Sequence, residues 1–189
     1  MKTMLTLQRL TIPILLFTAG LMGWTTNAPA QQTKSKQPTT AHQLSPADDG
    51  AIRVILKDQE TAWNKHDMNA FTKAFRNDAE GINVAGMYWQ GKVALLEHLT
   101  TFHATFLKNC QEYLEDVQVH SVGDGYAMAV NIWKVDAFTG PSGVEFPACR
   151  HRSNVVLAKG EDVWKVVHFH NTTIDEAALK AASAAASQK

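Results

Sequence analysis

The chain has 189 residues, a length suited to one domain. Apolar residues make up 45% and charged residues 19%, an ordinary balance for a sequence able to bury a core. Lysine plus arginine and aspartate plus glutamate number 18 each, which leaves no basic footprint for nucleic acid or an anionic membrane surface.

In chain order, the first feature is a basic start followed by an apolar stretch. Lys2 and Arg9 are the only charges before Ala30, residues 10–24 are apolar but broken by Pro13, Gly20 and Gly23, and Ala28-Pro29-Ala30 offers a small-residue exit. This pattern predicts a secretory signal peptide over residues 1–30, cleaved after Ala30, and a periplasmic or secreted mature protein. The alternative is an uncleaved anchor. The run of about 15 apolar residues is short of the roughly 20 a spanning helix needs, so no membrane contact is expected after cleavage. Export would put Cys110 and Cys149 where a disulfide persists, with two buried thiols as the alternative.

Residues 31–44 are polar and without period, and are expected to be a disordered linker. A domain is expected over 45–175. Ser45, Pro46 and Asp48 suit a helix N-terminus, and Ile52, Ile55, Leu56, Gln59 and Trp63 follow helical spacing. A short helix is predicted over 67–75, a strand over 80–84, a turn over 86–91 and a third helix over 92–109, with Leu95, Leu99, Phe102 and Phe106 facing inward. The period then changes to two. Strands are predicted over 112–122, 125–138, 145–158 and 163–173, separated by turns at 123–125, 140–143 and 159–162, so antiparallel hairpins are the simplest pairing. Residues 176–189 form an Ala/Ser/Lys-rich tail, read as a frayed helix.

Two segments carry a family resemblance. Trp63-Asn64-Lys65-His66-Asp67, with Phe75 to Ala79, Gly86 and Gly91 following, resembles the N-terminal half of nuclear-transport-factor-2-like proteins. Trp164 to Thr172 is similar to the closing strand of the SnoaL-like and SgcJ/EcaC-type branches, and of the calcium/calmodulin-dependent kinase II association domain. The resemblance covers residues 45 to 175. It implies an α+β cone of the cystatin-like type, a curved mixed or antiparallel sheet wrapped around three N-terminal helices, enclosing a pocket. It also implies a homodimer through the exposed sheet face. Such folds host enzymes, binders and dimerisation modules alike. Laid over the ketosteroid isomerase branch, Asn83 falls where the general base would be, Gln59 near the tyrosine, and His151 or Arg152 near the second aspartate. Asn cannot take the proton and Gln is a poorer donor than Tyr, so ketosteroid-type isomerisation is not expected.

Several residues are candidates for the pocket. Gln59 interrupts an apolar helix stripe, where an unpaired amide is costly unless it meets a partner or a polar ligand. His168 and His170 share a strand face with Trp164 and Val166. The resemblance favours His170 in the cavity as a candidate acid/base with His168, against a plain structural pair or a weakly supported metal site. Asn83, Asn131 and Arg152 are candidate ligand-orienting groups, with Trp63 and Trp89 as apolar walls or simple core. No phosphate loop, nucleophile elbow or dinucleotide fingerprint is present, and neither cofactor nor metal is expected. The expected function is an exported domain of the SnoaL-like type that binds a small apolar molecule. The alternative is an isomerase, cyclase or dehydratase acting on a carbonyl or hydroxyl compound through a pocket histidine.

Overall fold

A computed structural model describes residues 44–161 and 163–187. The expected signal peptide, and all of the linker except Leu44, lie outside the described residues. Helix α1 (Pro46–Asn64) starts where the sequence indicates. Ser45 Oγ accepts the Asp48 amide at 3.1 Å, and Pro46 needs no intrahelical donor at the first position. The helix buries Ile52, Leu56, Gln59, Glu60, Ala62 and Trp63. A short α2 (Met68–Thr72), capped by Asp67, leads into β1 (Phe75–Ile82) and β2 (Tyr88–Gln90), followed by α3 (Lys92–Ala104). Four longer elements complete the sheet or flank it: β3 (Glu112–Gly123), β4 (Tyr126–Val135), β7 (Cys149–Gly160) and β8 (Val163–Thr173). Between β4 and β7, β5 (Phe138–Thr139) and β6 (Glu145–Phe146) form a separate small hairpin. Helix α4 (Glu176–Ala186) buries nothing; Asp175 caps it and a Glu176–Arg150 ion pair ties down its start.

The main sheet runs β2-β1-β8-β7-β4-β3. The expected antiparallel pairing of the last long strands is present, and β1 joins β8 in parallel. Several boundaries differ from expectation. β1 begins at Phe75 rather than at residue 80, because exposed Arg76, Asn77 and Asp78 hide the alternation there. The 86–91 turn contains β2, which pairs Trp89 with Gly81. Helix α3 stops at Ala104, and the strand expected from residue 145 splits into β6 and β7 around exposed Pro147.

One face of the sheet, covered by α1 and α3, carries the core of Leu56, Leu95, Leu99, Ala129, Val155, Leu157, Trp164 and Val166. The edge strand β3 would leave a row of backbone groups unpaired. Helix α1 supplies the partners along one side. Arg53 Nη1 donates to Val117 O at 3.0 Å, Glu60 Oε1 accepts Leu114 N at 3.1 Å, and Asn64 holds both the amide and the carbonyl of Glu112 at 2.8 Å. Asn64 thus mimics a neighbouring strand. Asn64→Ala is expected to lower stability by about 2 kcal/mol, since two backbone groups lose their partner. In urea the midpoint should fall with an unchanged slope; a shift near zero would mean water replaces the amide without penalty.

Candidate functional site

The last strand decides what faces the interior. Trp164 and Val166 are buried, as strict alternation requires. Opposite Leu157 and Val156, however, the register jumps from Val166 to His168, so Val167 is an extra residue in β8. Such a bulge reverses the side-chain order beyond it. Phe169 and Asn171 therefore turn inward, while His168 and His170 turn to the outer face with Asn154 and Arg152. His170 is exposed and His168 half-buried. The expectation that His170 lies in the cavity is not met, and the cause is this one inserted residue. Arg152 is also exposed on the outer face. Asn83 serves the loop after β1: its Oδ1 accepts the amides of Ala85 and Met87 at 3.0 and 2.9 Å.

Other candidates do come together on the covered face. Asn131, Ser153 and Asn171 are registered neighbours on β4, β7 and β8, forming a polar row across the concave side. Asn131 is fully buried; with its amide turned to suit both neighbours it donates to Ala129 O at 2.9 Å and accepts from Trp133 Nε1 at 3.1 Å. Asn171 Oδ1 is buried and has no partner among the described residues. The next row holds Trp133, His151 and Thr173. From the helix side, Gln59 is 6% exposed. Trp63 Nε1 and His103 Nε2 are buried and have no hydrogen-bond partner among the described residues.

Aromatic rings wall this interior. Trp63 meets Phe71, Phe71 meets Phe75, and Phe75 meets Phe169 edge-on at 5.9 Å. Trp89 reaches Phe169 and Phe102, and Phe102 continues to Phe106. Gly81 is required beneath Phe169, because a Cβ there would stand 2.0 Å from the ring. Of the residues that the sequence brings forward, Gln59, Trp63, Trp89 and Asn131 are buried. His103 and Asn171 are not among the residues the sequence brings forward, although His103 follows Leu99 by one helical turn; the bulge that turns Asn171 inward leaves no mark in the residues.

Burial removes charge from this space. His103 and His151 are each pushed down to about 4, chiefly by desolvation, and for His103 also by the charge of His66. Glu112, on the same face of β3, is pushed up to about 8 by desolvation. All three groups are therefore mainly neutral at pH 7. Cys110 and Cys149 are free thiols, and burial lifts Cys110 to about 12. Among the described residues no cluster of three or more His, Cys, Asp or Glu is arranged to hold a metal.

A groove of about 520 Å³ also opens among Arg76, Tyr126, Lys159 and Lys165. It lies at the hairpin-turn end, roughly 16 Å along the strands from the polar row. Its cations are engaged: Arg76 by Asp78, Lys159 by Asp48, and Lys165 by Lys73 O. Asp48 also accepts Trp164 Nε1 and is held down at about 2 by these partners, Lys159 first. That arrangement anchors α1 and offers little to a ligand.

The buried carboxyl gives a pH test. Glu112 binds its proton up to about 8 when folded but only to 4.5 as a free side chain. The folded state thus holds the extra proton between these values, and its stability falls as pH rises through that window. Glu112→Gln removes this loss. Its stability relative to the original chain should climb from pH 5 to pH 9, reaching a few kcal/mol, as followed by urea unfolding at each pH. A difference independent of pH would show that Glu112 is not buried as described. The histidines act in the opposite sense: an unfolded chain takes protons below about 6.5 that His103 and His151 refuse until about 4, so they reduce stability as pH falls.

No protein-family model and no curated protein matches the chain. Solved structures do. An uncharacterised protein with a cystatin-like fold from Caulobacter vibrioides is 30% identical, over 70% of this chain and 93% of that one, with a TM-score of 0.68. A nuclear-transport-factor-2-like protein from Pseudomonas putida KT2440 is 20% identical, over 69% and 89%, at 0.58. A candidate scytalone dehydratase from Novosphingobium aromaticivorans is 15% identical, over 68% and 85%, also at 0.58. The last two share the fold alone. The order of elements, the sheet topology and these likenesses agree: the chain has the cystatin-like fold, the fold of the nuclear-transport-factor-2-like proteins among its structural neighbours.

Proposed function

We propose that this is an exported ligand-binding domain whose covered sheet face receives a small, uncharged, largely aromatic molecule bearing a hydroxyl or carbonyl group. The observation that carries this reading is the set of buried polar atoms without partners, Asn171 Oδ1, Trp63 Nε1 and His103 Nε2, inside a wall of aromatic rings. Each such atom costs about 1–3 kcal/mol when left bare. A ligand's polar group would recover that free energy, and the aromatic surround would hold its apolar body. Neutral His103, His151 and Glu112 match an uncharged guest. Export rests on the basic, apolar and small-residue order of the first thirty positions.

Pairing of two copies through the outer face is part of the proposal. Met128, Val130, Ile132 and Val156 sit half-buried there, ringed by Arg152, Asn154 and His170. Sedimentation that shows only monomer at micromolar concentration would remove it. An isomerase, cyclase or dehydratase activity is the second reading. What favours it is His103, an inward neutral imidazole with a free nitrogen, rather than the outward His170.

The experiment is a melting series of the protein against phenols and aromatic ketones. A true ligand at 100 Kd should add about 2.7 kcal/mol. Gln59→Leu with Asn171→Leu should stabilise the empty protein, because bare polar atoms are replaced by apolar ones, yet weaken binding at least tenfold. His168→Ala and His170→Ala should leave binding unchanged. Binding that ignores the leucine pair, or that needs His170, would overturn the placement of the site.

A further inference from the structure

His103 does not stand alone. Its Nδ1 lies 2.8 Å from Nδ1 of His66, and its ring meets Trp63 edge to face with centroids 4.3 Å apart. His66 follows the end of α1 with φ at +56°, a left-handed backbone that residues other than glycine seldom adopt. This is the turn that ends α1: His66 N donates to Trp63 O at 2.8 Å and Asp67 N to Ala62 O at 2.9 Å, which fixes where the His66 ring stands. Two imidazole nitrogens at hydrogen-bond distance share one proton. When His103 owns it, His103 Nε2 is a bare acceptor; when His66 owns it, His103 Nε2 carries hydrogen and donates. The buried nitrogen thus changes from acceptor to donor when one proton passes along the short bond to His66 and a second proton arrives at Nε2.

We infer that the His66–His103 pair is a proton relay, in which His103 Nε2 takes the proton of an acidic hydroxyl, a phenol or an enol, bound in the interior, and the resulting positive charge settles on His66. This rests on the interior being a ligand site. The ligand O–H bond breaks as the N–H bond at His103 Nε2 forms. The Nδ1–H bond of His103 breaks as that of His66 forms. His66, already protonated at Nε2, becomes the imidazolium and the ligand its oxyanion, with no change of oxidation state. Run backwards, the same steps return a proton to a carbanion or oxyanion.

The division of labour has a physical reason. Burial disfavours a cation on His103, which is 5% exposed, and among the described residues His66 is the titratable group that acts on it. A lone imidazole in that position would be a poor base at neutral pH. His66 is half-buried, so the charge can rest where water helps to carry it. Trp63 Nε1, the unpartnered donor beside His103, supplies a hydrogen bond to the oxyanion.

The test uses 4-nitrophenol, whose absorbance distinguishes phenol from phenolate, with the full chain at a pH where the free probe is mainly protonated. The expected result is binding as phenolate by the original chain. His66→Asn keeps a residue tolerant of the left-handed backbone but cannot become a cation. It should bind within about threefold and hold the probe as the neutral phenol. A neutral probe on the original chain overturns the relay and leaves the ligand site standing, and so does phenolate on both chains. Absence of binding by any phenol or aromatic ketone overturns both. Imidazole ¹⁵N shifts of the original chain in complex serve if the variant does not fold. They should show His66 doubly protonated and His103 neutral; a neutral His66 beside bound phenolate ends the proposal.

Discussion

A single inserted residue, Val167, determines which chemistry this protein presents to its interior. Up to Val166 the last strand places Trp164 and Val166 against the helices. Past it, every side chain has changed sides. Without the bulge two imidazoles would face inward, and Phe169 and Asn171 would face out. With it, the inner surface gains an aromatic ring and an amide, and both histidines move to the outer sheet face. The inner polar row Asn131–Ser153–Asn171 exists only because β8 is one residue longer than its partner requires. Gly81 is part of the same arrangement, since the ring that the bulge delivers lies where any larger residue of β1 would put its Cβ.

The covered face would not stay defined without α1. Its polar side chains Arg53, Glu60 and Asn64 fasten the helix along the β3 edge, and Asp48 fastens its start to Trp164 and Lys159. Held at both ends, the helix presents Gln59 and Trp63 to the interior at a fixed distance from the sheet. The cost of leaving Trp63 Nε1 without a partner among the described residues, with His103 Nε2 and Asn171 Oδ1, is set by burial and adds up to a sizeable part of a small domain's stability. A sequence under no demand for a ligand would relieve it with leucine or valine at each position. That is the argument for function rather than packing.

Much of this was legible in the residues. Ser45-Pro46-Ala47-Asp48 announces the start of α1, the change of period after Cys110 announces the sheet, and the Trp63-Asn64 segment carries the superfamily resemblance. What stayed hidden has identifiable causes. Alternation in Trp164-Lys165-Val166-Val167-His168-Phe169-His170 is equally consistent with a continuous strand, because Val167 suits either side of a sheet. Asn83 looks like a pocket residue on a strand, but turn chemistry claims it through two backbone amides. Asn64 reads as a motif residue of unknown use, and its role as a substitute strand partner depends on a segment 48 positions away. His66 reads only as part of that same motif, since its contact with His103 depends on the turn that ends α1 and on a helix 37 positions away.

The interior is polar yet uncharged, and this limits what can happen there. Desolvation keeps His103 and His151 neutral and Glu112 largely protonated, so a guest ion would find no counter-charge and would lose its hydration. Any proton transfer inside must therefore either remain charge-neutral overall or send one of the two charges outward. The contact between His103 and half-buried His66 is the one described path from this interior that ends on an imidazole nearer to water. A fold that hosts binders and enzymes alike can differ between them by whether such a path exists. Here the contact that would form such a path joins His66 to α3, whereas the histidines that the sequence brings forward stand on the outer face of β8.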